Sequence, residues 1–419
     1  MATDVDIAIV GGGAAGIAAA RRLAASGFST IMLEASSRLG GRGWTQELAG
    51  FPLDLGCGWL HSADRNPWTG IAEQAGFAID RREAAWGSQY ANLGFSAEQQ
   101  SAARRALNVW EQQLPRLVSR SDRAGDALLP GAEWNPYVHA ICGFSNGVAP
   151  DRMSAADYLA YDAACSYRNW RVPAGYGTLI SASLPSATNV RLATPVEVIS
   201  EHRNGLAITT PTGTIHAAAA ILTVSTNVLA GASIDLPSSL DPWRHAASVL
   251  PLGSDEKLFF QIDGETLFAP ETHLIGDPYD TRTCDYYIRP FGWPVIECSL
   301  GGDSARIVAE EGLVAAFDLA IEQLIKLVGS GVRSKLRVLG ASNWSRSDRI
   351  GGAYSCALPG HSQARQILSR SWEGRIFFAG EATHGHDFST AHGAYDSGLR
   401  AADEAIEALR PQELRSLRG

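Results

Sequence analysis

The sequence predicts an α/β fold with a parallel sheet at its centre, and three observations near its start carry that expectation. Asp6 to Val10 is an apolar run of the kind that forms a strand buried on both faces. Gly11-Gly12-Gly13-Ala14-Ala15-Gly16 follows at once and leads into the alanine-rich stretch Ile17 to Ser26, good helix material. A second strand-like run, Thr30 to Leu33, ends on an acid, Glu34. Glycine spacing alone is a weak signal, but strand, turn, helix, strand and acid in this order make a Rossmann-like unit.

Each part of that unit has a physical task. Gly11 lets the chain turn sharply, Gly13 lets backbone approach a pyrophosphate, and Gly16 lets helix and strand pack closely. The helix N-terminus after the glycine turn points unpaired N–H groups and a partial positive charge at phosphates, and Ala15 of that turn is an expected cofactor contact. The Glu34 carboxylate can accept both hydroxyls of an adenosine ribose. Arg38, Gly40, Gly41 and Arg42 come next, a segment that a nicotinamide dehydrogenase does not need. Arginines beside a pyrophosphate offer forked, charge-assisted hydrogen bonds. The glycine pair lets backbone run against a flat ring system.

This segment resembles the FAD-binding segment of the flavin-containing amine oxidase family, which includes monoamine oxidases, polyamine oxidases and lysine-specific histone demethylases. The resemblance covers nearly the whole chain, strongest at both ends and weakest between about 80 and 165. It implies FAD rather than NAD, with Arg42 and the Gly40-Gly41 backbone along the diphosphate and flavin, and Arg38 as a further contact. The family's glycine-rich flavin segment reads here Gly56-Cys57-Gly58-Trp59, which adds Gly58 and Trp59 to the expected cofactor contacts.

At 419 residues the chain is too long for one compact core, so two domains are expected. The 45% hydrophobic and 19% charged composition is that of an ordinary globular protein. A net charge of −9 without a basic block excludes nucleic acid as a partner. It is compatible with attracting a cationic amine. The six cysteines show no metal-like or Cys-x-x-Cys spacing and read as reduced thiols of a cytoplasmic protein. No apolar run approaches the length of a membrane span, the first strand opens too early for a signal peptide, and the tail from Arg410 is polar. A cytoplasmic enzyme with no membrane partner is the expectation; the sequence is silent on oligomeric state.

Further along, Ala97 to Val118 carries apolar residues at helical spacing. Strand patterns follow at 190–192, 196–199 and 206–210, then a turn at Pro211-Thr212-Gly213, a short strand at 214–216 and a buried one at 217–224. Lys257 to Ile262 and Val295 to Leu300 read as strands and Leu313 to Leu327 as a helix. Near the end, Arg375 to Glu381 reads as a buried strand before an alanine-rich helix to Leu409. The expected organisation is therefore discontinuous. Residues 1–75, 175–235 and 340–419 would form the Rossmann-like FAD-binding domain, and 76–174 with 236–339 an α+β substrate-binding domain.

The resemblance also assigns residues. Val196 would contact adenine through its backbone; Ser225 stands after the next strand where the family usually has proline. In the family, the acid of Gly380-Glu381 holds the ribityl hydroxyls. The helix start at His392-Gly393-Ala394 offers N–H groups to the flavin pyrimidine oxygen, which gains negative charge on reduction. Only three of the 35 basic residues are lysine, so a retained lysine suggests a need for an ammonium. The family places a lysine at the strand of Lys257, bonded through water to flavin N5, where it assists oxygen reduction or imine hydration. Trp344 to Tyr354 resembles the segment facing the flavin. Ala353 occupies the place of the cysteine that bonds the flavin in monoamine oxidases, and Cys356 is out of register, so non-covalent FAD is expected. Tyr354 and Thr390 would be the walls of a half-open substrate cage, and His61 matches a histidine near the substrate in many polyamine oxidases. His384 and His386 are spaced like ligands without an evident third, so no metal is expected.

The activity implied is hydride transfer from an amine α-carbon to flavin N5. The imine then hydrolyses to an aldehyde, and O2 is reduced to hydrogen peroxide. Polyamines or other primary and secondary amines rank first as substrates. L-Amino acids rank lower, because no arginine stands at 56–59 for a carboxylate. A flavin-dependent desaturase acting on carbon–carbon bonds is disfavoured by Lys257 and the Tyr354 segment, and a non-catalytic FAD scaffold by the intact motifs at both ends.

Overall fold

The structure, a computed structural model, describes residues 4–203, 205–266 and 268–410. Residues 1–3 and 411–419, the two ends of the expected FAD-binding segments, lie outside the described residues. The chain opens with β1 (Val5–Val10), α1 (Ala14–Leu23) and β2 (Thr30–Leu33), then the ribbon β3 (Thr45–Leu48) and β4 (Phe51–Asp54) and helix α2 (Pro67–Gln74). Helices α3 (Ala97–Leu117), α4 (Asn135–Asn146), α5 (Ala155–Ala164) and α6 (Tyr176–Ala182) follow. Next come β5 (Val190–Arg191), β6 (Val198–His202), β7 (Gly205–Thr210) and β8 (Gly213–Leu222), with α7 (Thr226–Ala230) and α8 (Asp241–Ser248) after them. Strands β9 (Asp255–Ile262), β10 (Thr272–Ile275), β11 (Asp285–Ile288) and β12 (Val295–Gly301) lead to α9 (Arg306–Glu310), α10 (Leu313–Val328) and β13 (Leu336–Ala341). The last elements are α11 (Ala364–Leu368), β14 (Ile376–Phe378) and α12 (Ala391–Leu409).

The first sheet runs β5-β2-β1-β8-β7-β6, with β14 also paired to β8. Ile7 and Ile9 pack against the alanines of α1 and α12, while Ala8 and Val10 face the opposite core of Leu229, Leu240 and Leu250. Both faces of β1 are thus buried, which is why its sequence shows no polar alternation. The two strands expected at 214–216 and 217–224 are one strand. Gly213 to Ala217 pair with β7, and Ala217 to Leu222 pair with β1, so the change of composition at 217 marks a change of partner. The strand expected from 375 to 381 is shorter, because Gly380 adopts φ +129° and turns the chain out of β14. A Cβ on Gly16 would lie 2.0 Å from the Gly11 carbonyl oxygen, and one on Gly398 2.1 Å from that of Ala15. Bare glycine lets α1 sit on the strand–helix turn and α12 sit on α1.

The second sheet, β10-β11-β12-β9-β13, is antiparallel and runs to Ala341. Leu258 and Phe260 of β9 and Ile296, Cys298 and Leu300 of β12 pack with Ala316, Ala320 and Leu324 of α10. Strand alternation then turns Lys257, Glu297 and Ser299 to the other face.

Candidate active site

That other face and the C-terminal end of β1 enclose one cavity of about 670 Å³. Its first arm is lined by Gly11, Gly13, Ala15, Glu34, Gly40, Gly41, Arg42, Val196 and Gly380-Glu381. Gly13 caps α1 without any side-chain hydrogen bond, so the first-turn N–H groups lack side-chain acceptors. Glu34 accepts from the N–H of Gly12 (2.6 Å) and of Ser36 (2.7 Å), which fixes its carboxylate while leaving further lone pairs. A Cβ on Gly380 would meet nothing within 4 Å, so the chain there borders open space. Helix start, acid and glycine cradle fit a dinucleotide.

Glu381 is buried and accepts from Arg42 Nη1 (2.8 Å), Ser355 N (3.1 Å), Ser355 Oγ (2.6 Å) and Ser389 N (2.8 Å). Burial alone would raise its pKa, but the guanidinium groups of Arg42 and Arg365 and the hydrogen bonds from Ser355 and Ser389 together lower it more, and the carboxyl is held below its ordinary range. Arg42 Nη1 also donates to Ala353 O at 2.6 Å.

The second arm carries the expected chemical residues. Lys257 Nζ lies 2.6 Å from Glu297 Oε1. A Cβ added to Gly58 would come within 3.2 Å of that ammonium. Tyr354 donates its hydroxyl to Phe144 O at 2.7 Å and reaches Asp255 Oδ2 at 3.2 Å. His61 Nδ1 meets Asn169 Oδ1 at 2.7 Å, which makes Nδ1 the donor and leaves Nε2 as acceptor. Burial pushes His61 down to about 4, so it is neutral at pH 7. Trp59 packs against Trp86 with centroids 4.3 Å apart and the rings tilted by 53°, and both line the cavity with Trp344, Thr390 and His392.

Three expectations need correction. Arg38 does not line the cavity; its guanidinium stacks 4.4 Å from the Trp44 ring centroid and donates to Leu39 O. Gly393 serves packing, since a Cβ on it would lie 1.9 Å from Asp387 O. The N–H groups of Gly393 and Ala394 are already taken by Thr390 Oγ1 (3.0 Å) and Thr390 O (3.1 Å). The donors left at the start of α12 are those of Ala391 and His392, one residue earlier than the motif suggested.

The sequence shows no third partner for His384 and His386, whereas the fold brings Asp387 within 4.8 Å of both. The trio does not suit a cation. Asp387 receives both Arg65 Nη atoms, at 2.7 and 2.5 Å, and His384 Nδ1 accepts the Asp387 N–H at 2.8 Å.

Sequence reading missed the carboxylates. Asp255, Asp285 and Glu297 line the cavity with Lys257 and His273. Burial lifts Asp255 to about 8, with Lys257 opposing. His273 pairs with Asp285 at 2.6 Å; burial alone would lower its pKa, but that acid raises it. Period-2 alternation counted from Lys257 would have placed Asp255 on this face; Glu297 and Asp285 needed the strand register.

Comparison with known proteins finds a matching family, relatives along nearly the whole chain and a shared fold. The family described as "Flavin containing amine oxidoreductase" matches residues 14–159 and 95–406. The chain belongs to that family. Polyamine oxidase 4 of Oryza sativa subsp. japonica is 26% identical over 98% of this chain and 91% of its own length. Pseudooxynicotine dehydrogenase of Pseudomonas sp is 23% identical over 97% and 87%. Putrescine oxidase bound to putrescine shares the fold, with TM-score 0.76 at 18% identity, covering 96% of this chain and 99% of that one. This flavin amine oxidoreductase is an enzyme that acts on amines, and no helix among its described residues is long and apolar enough to cross a membrane.

Proposed function

We propose that the enzyme is an amine oxidase holding FAD non-covalently, with a polyamine or another primary or secondary amine as substrate and O2 as electron acceptor. The observation that carries this reading is the charge pattern of the cavity. Its second arm presents Asp255, Asp285 and Glu297, and the only lining arginines among the described residues are Arg42 and Arg349. Arg42 reaches Glu381, and Arg349 adjoins Ile350, whose carbonyl accepts from Ser225 Oγ, so both stand at the cofactor end. Three acids face only Lys257 and His273, with no arginine among them, which suits a cationic chain once Asp255 is ionised and disfavours an amino acid carboxylate. The names of the plant relatives point the same way.

The helix start after Gly13, Glu34, Arg42 and Glu381 would hold the cofactor, which when bound supplies the two-electron acceptor for the amine α-carbon. Tyr354 and Trp59 orient and desolvate the amine. Thr390 contributes its methyl side, because its hydroxyl is committed to Asp387 O (2.6 Å) and Gly393 N. Neutral His61 offers an acceptor at Nε2. Lys257, held charged by Glu297, keeps an ammonium at the cavity wall where it can order water and give a proton to reduced oxygen. Cys356 is buried outside the cavity lining, which supports non-covalent binding, and six unpaired cysteines fit a reducing, cytoplasmic compartment.

Acid precipitation and an amine panel test the proposal. Free FAD in the supernatant, with aldehyde and hydrogen peroxide formed in equal amounts from a diamine or polyamine, is expected. Flavin left on the pellet would refute non-covalent binding, and turnover of L-amino acids alone would refute the substrate class.

A further inference from the structure

A buried charge outside the cavity stands directly behind Glu381. Arg365 of α11 is 2% exposed, one of the largest fully buried side chains of the protein. Its Nε and Nη2 fork onto Asp157 of α5 at 2.7 and 2.8 Å. Its Nη1 donates to Ser355 Oγ at 2.8 Å, and that hydroxyl passes its own hydrogen to Glu381 Oε2 at 2.6 Å. The guanidinium carbon also lies 3.6 Å from the ring centroid of Phe388, which lines the cavity and packs 5.7 Å from Tyr161. Asp157 and Tyr161 are one turn apart on α5, so one arginine ties a wall of the substrate arm to the acid of the cofactor arm.

We propose that Arg365 is a positioning residue: acting through Ser355, it holds Glu381 ionised and in the orientation that receives the cofactor. The inference rests on the reading of Glu381 as a cofactor-binding acid. The charged groups facing Glu381 are Arg42, from the segment after β2, and Arg365, from α11; Asp157 of α5 stands behind Arg365 and offsets part of its charge. Arg42 is partly open to solvent, whereas Arg365 is sealed from it, so its field at the carboxylate is screened less. Ser355 cannot turn its hydroxyl hydrogen away from Glu381 while its oxygen receives the guanidinium, so the bond to the carboxylate has one polarity. Removing Arg365 frees that rotor and takes away one of the two cations that keep the carboxyl from taking up a proton.

The test is FAD affinity of the apoprotein, read by flavin fluorescence from about pH 8 to about pH 5.5. Arg365→Met alone leaves Asp157 buried without its counter-charge and endangers folding, so Asp157→Asn/Arg365→Met is the decisive variant. Wild-type affinity should be level over this range. The double variant should bind FAD about tenfold more weakly, and more weakly still as the pH falls. Arg365→Lys, which keeps a charge but not the fork, should restore part of the affinity and the level profile. In a Glu381→Gln background the double variant should add no pH dependence. A folded double variant with wild-type affinity and a level profile overturns the inference, as does an equal loss in the Glu381→Gln background. If Glu381→Gln weakens FAD binding and the double variant does not, only the role of Arg365 falls. If Glu381→Gln leaves FAD binding unchanged, both readings fall.

Discussion

Lys257 Nζ and Glu297 Oε1 are 2.6 Å apart, on the neighbouring strands β9 and β12, with the lysine side chain 11% and the glutamate 21% exposed. Burial alone would lower the lysine pKa, but Glu297, Asp54 and Asp255 raise it, and the net shift is upward. The ammonium is therefore kept charged throughout neutral pH in a site where an unpaired lysine would lose its proton. Lys257→Met should slow reoxidation of the reduced enzyme by O2 about tenfold or more, with a smaller effect on anaerobic reduction by the amine. Stopped-flow measurement of the two half-reactions separates them; an unchanged reoxidation rate would remove the lysine from the oxygen step.

Asp255 gives the substrate arm a pH-dependent charge. With its carboxyl lifted to about 8, it is largely protonated at pH 7 and becomes an anion above 8. A quaternary ammonium ligand has a fixed charge, so its binding should tighten as the pH rises through about 8. Asp255→Asn should abolish that dependence; a profile unchanged by the substitution would assign the titration elsewhere.

Acid stability follows from the opposite shift. Glu381 is held below the ordinary glutamate value of 4.5, so its contribution to folding is complete above that value and is lost as the pH falls through the lower folded pKa. Glu381→Gln should lower the melting temperature most near neutral pH and by progressively less in acid. An equal loss at every pH would mean that the carboxylate charge is not what stabilises the fold.

Two glycines should respond in opposite directions to the same change. Gly16→Ala drives a methyl into the Gly11 carbonyl oxygen, 2.0 Å away, and should cost about 1–3 kcal/mol in denaturant unfolding as well as FAD affinity. Gly70→Ala, within α2 and with nothing within 4 Å, should gain up to about 1 kcal/mol. Equal effects at the two positions would contradict the close packing of α1 on the turn.

Local signals were readable where the chain itself builds the feature. The run Asp6–Val10, the glycine turn and Thr30–Leu33 appear as β1, the start of α1 and β2, because burial on both faces and close backbone approach leave direct marks on residue choice. Ala97–Val118 matches α3 to within one residue, since Ser96 and Gln99 form a capping box and the apolar spacing is helical. Partners were not readable. Nothing near Arg38 reveals that Trp44 and Trp344 stack around it, and β8 changes neighbours at Ala217 without a turn signal. The start of α12 was placed one residue too late because the Thr390 hydroxyl caps the helix. Glu297 and Arg365 lie outside every short motif. Their significance comes from residues 40 and 208 positions away in sequence, Lys257 and Asp157, reached only by strand register and helix packing.

The most direct measurement is the flavin absorption spectrum of the purified protein during anaerobic titration with a linear diamine or polyamine. Loss of the oxidised flavin band, followed by its full return and release of hydrogen peroxide when O2 is admitted, is the expected result. A bound flavin that no amine bleaches would contradict the assignment of this cavity to amine oxidation.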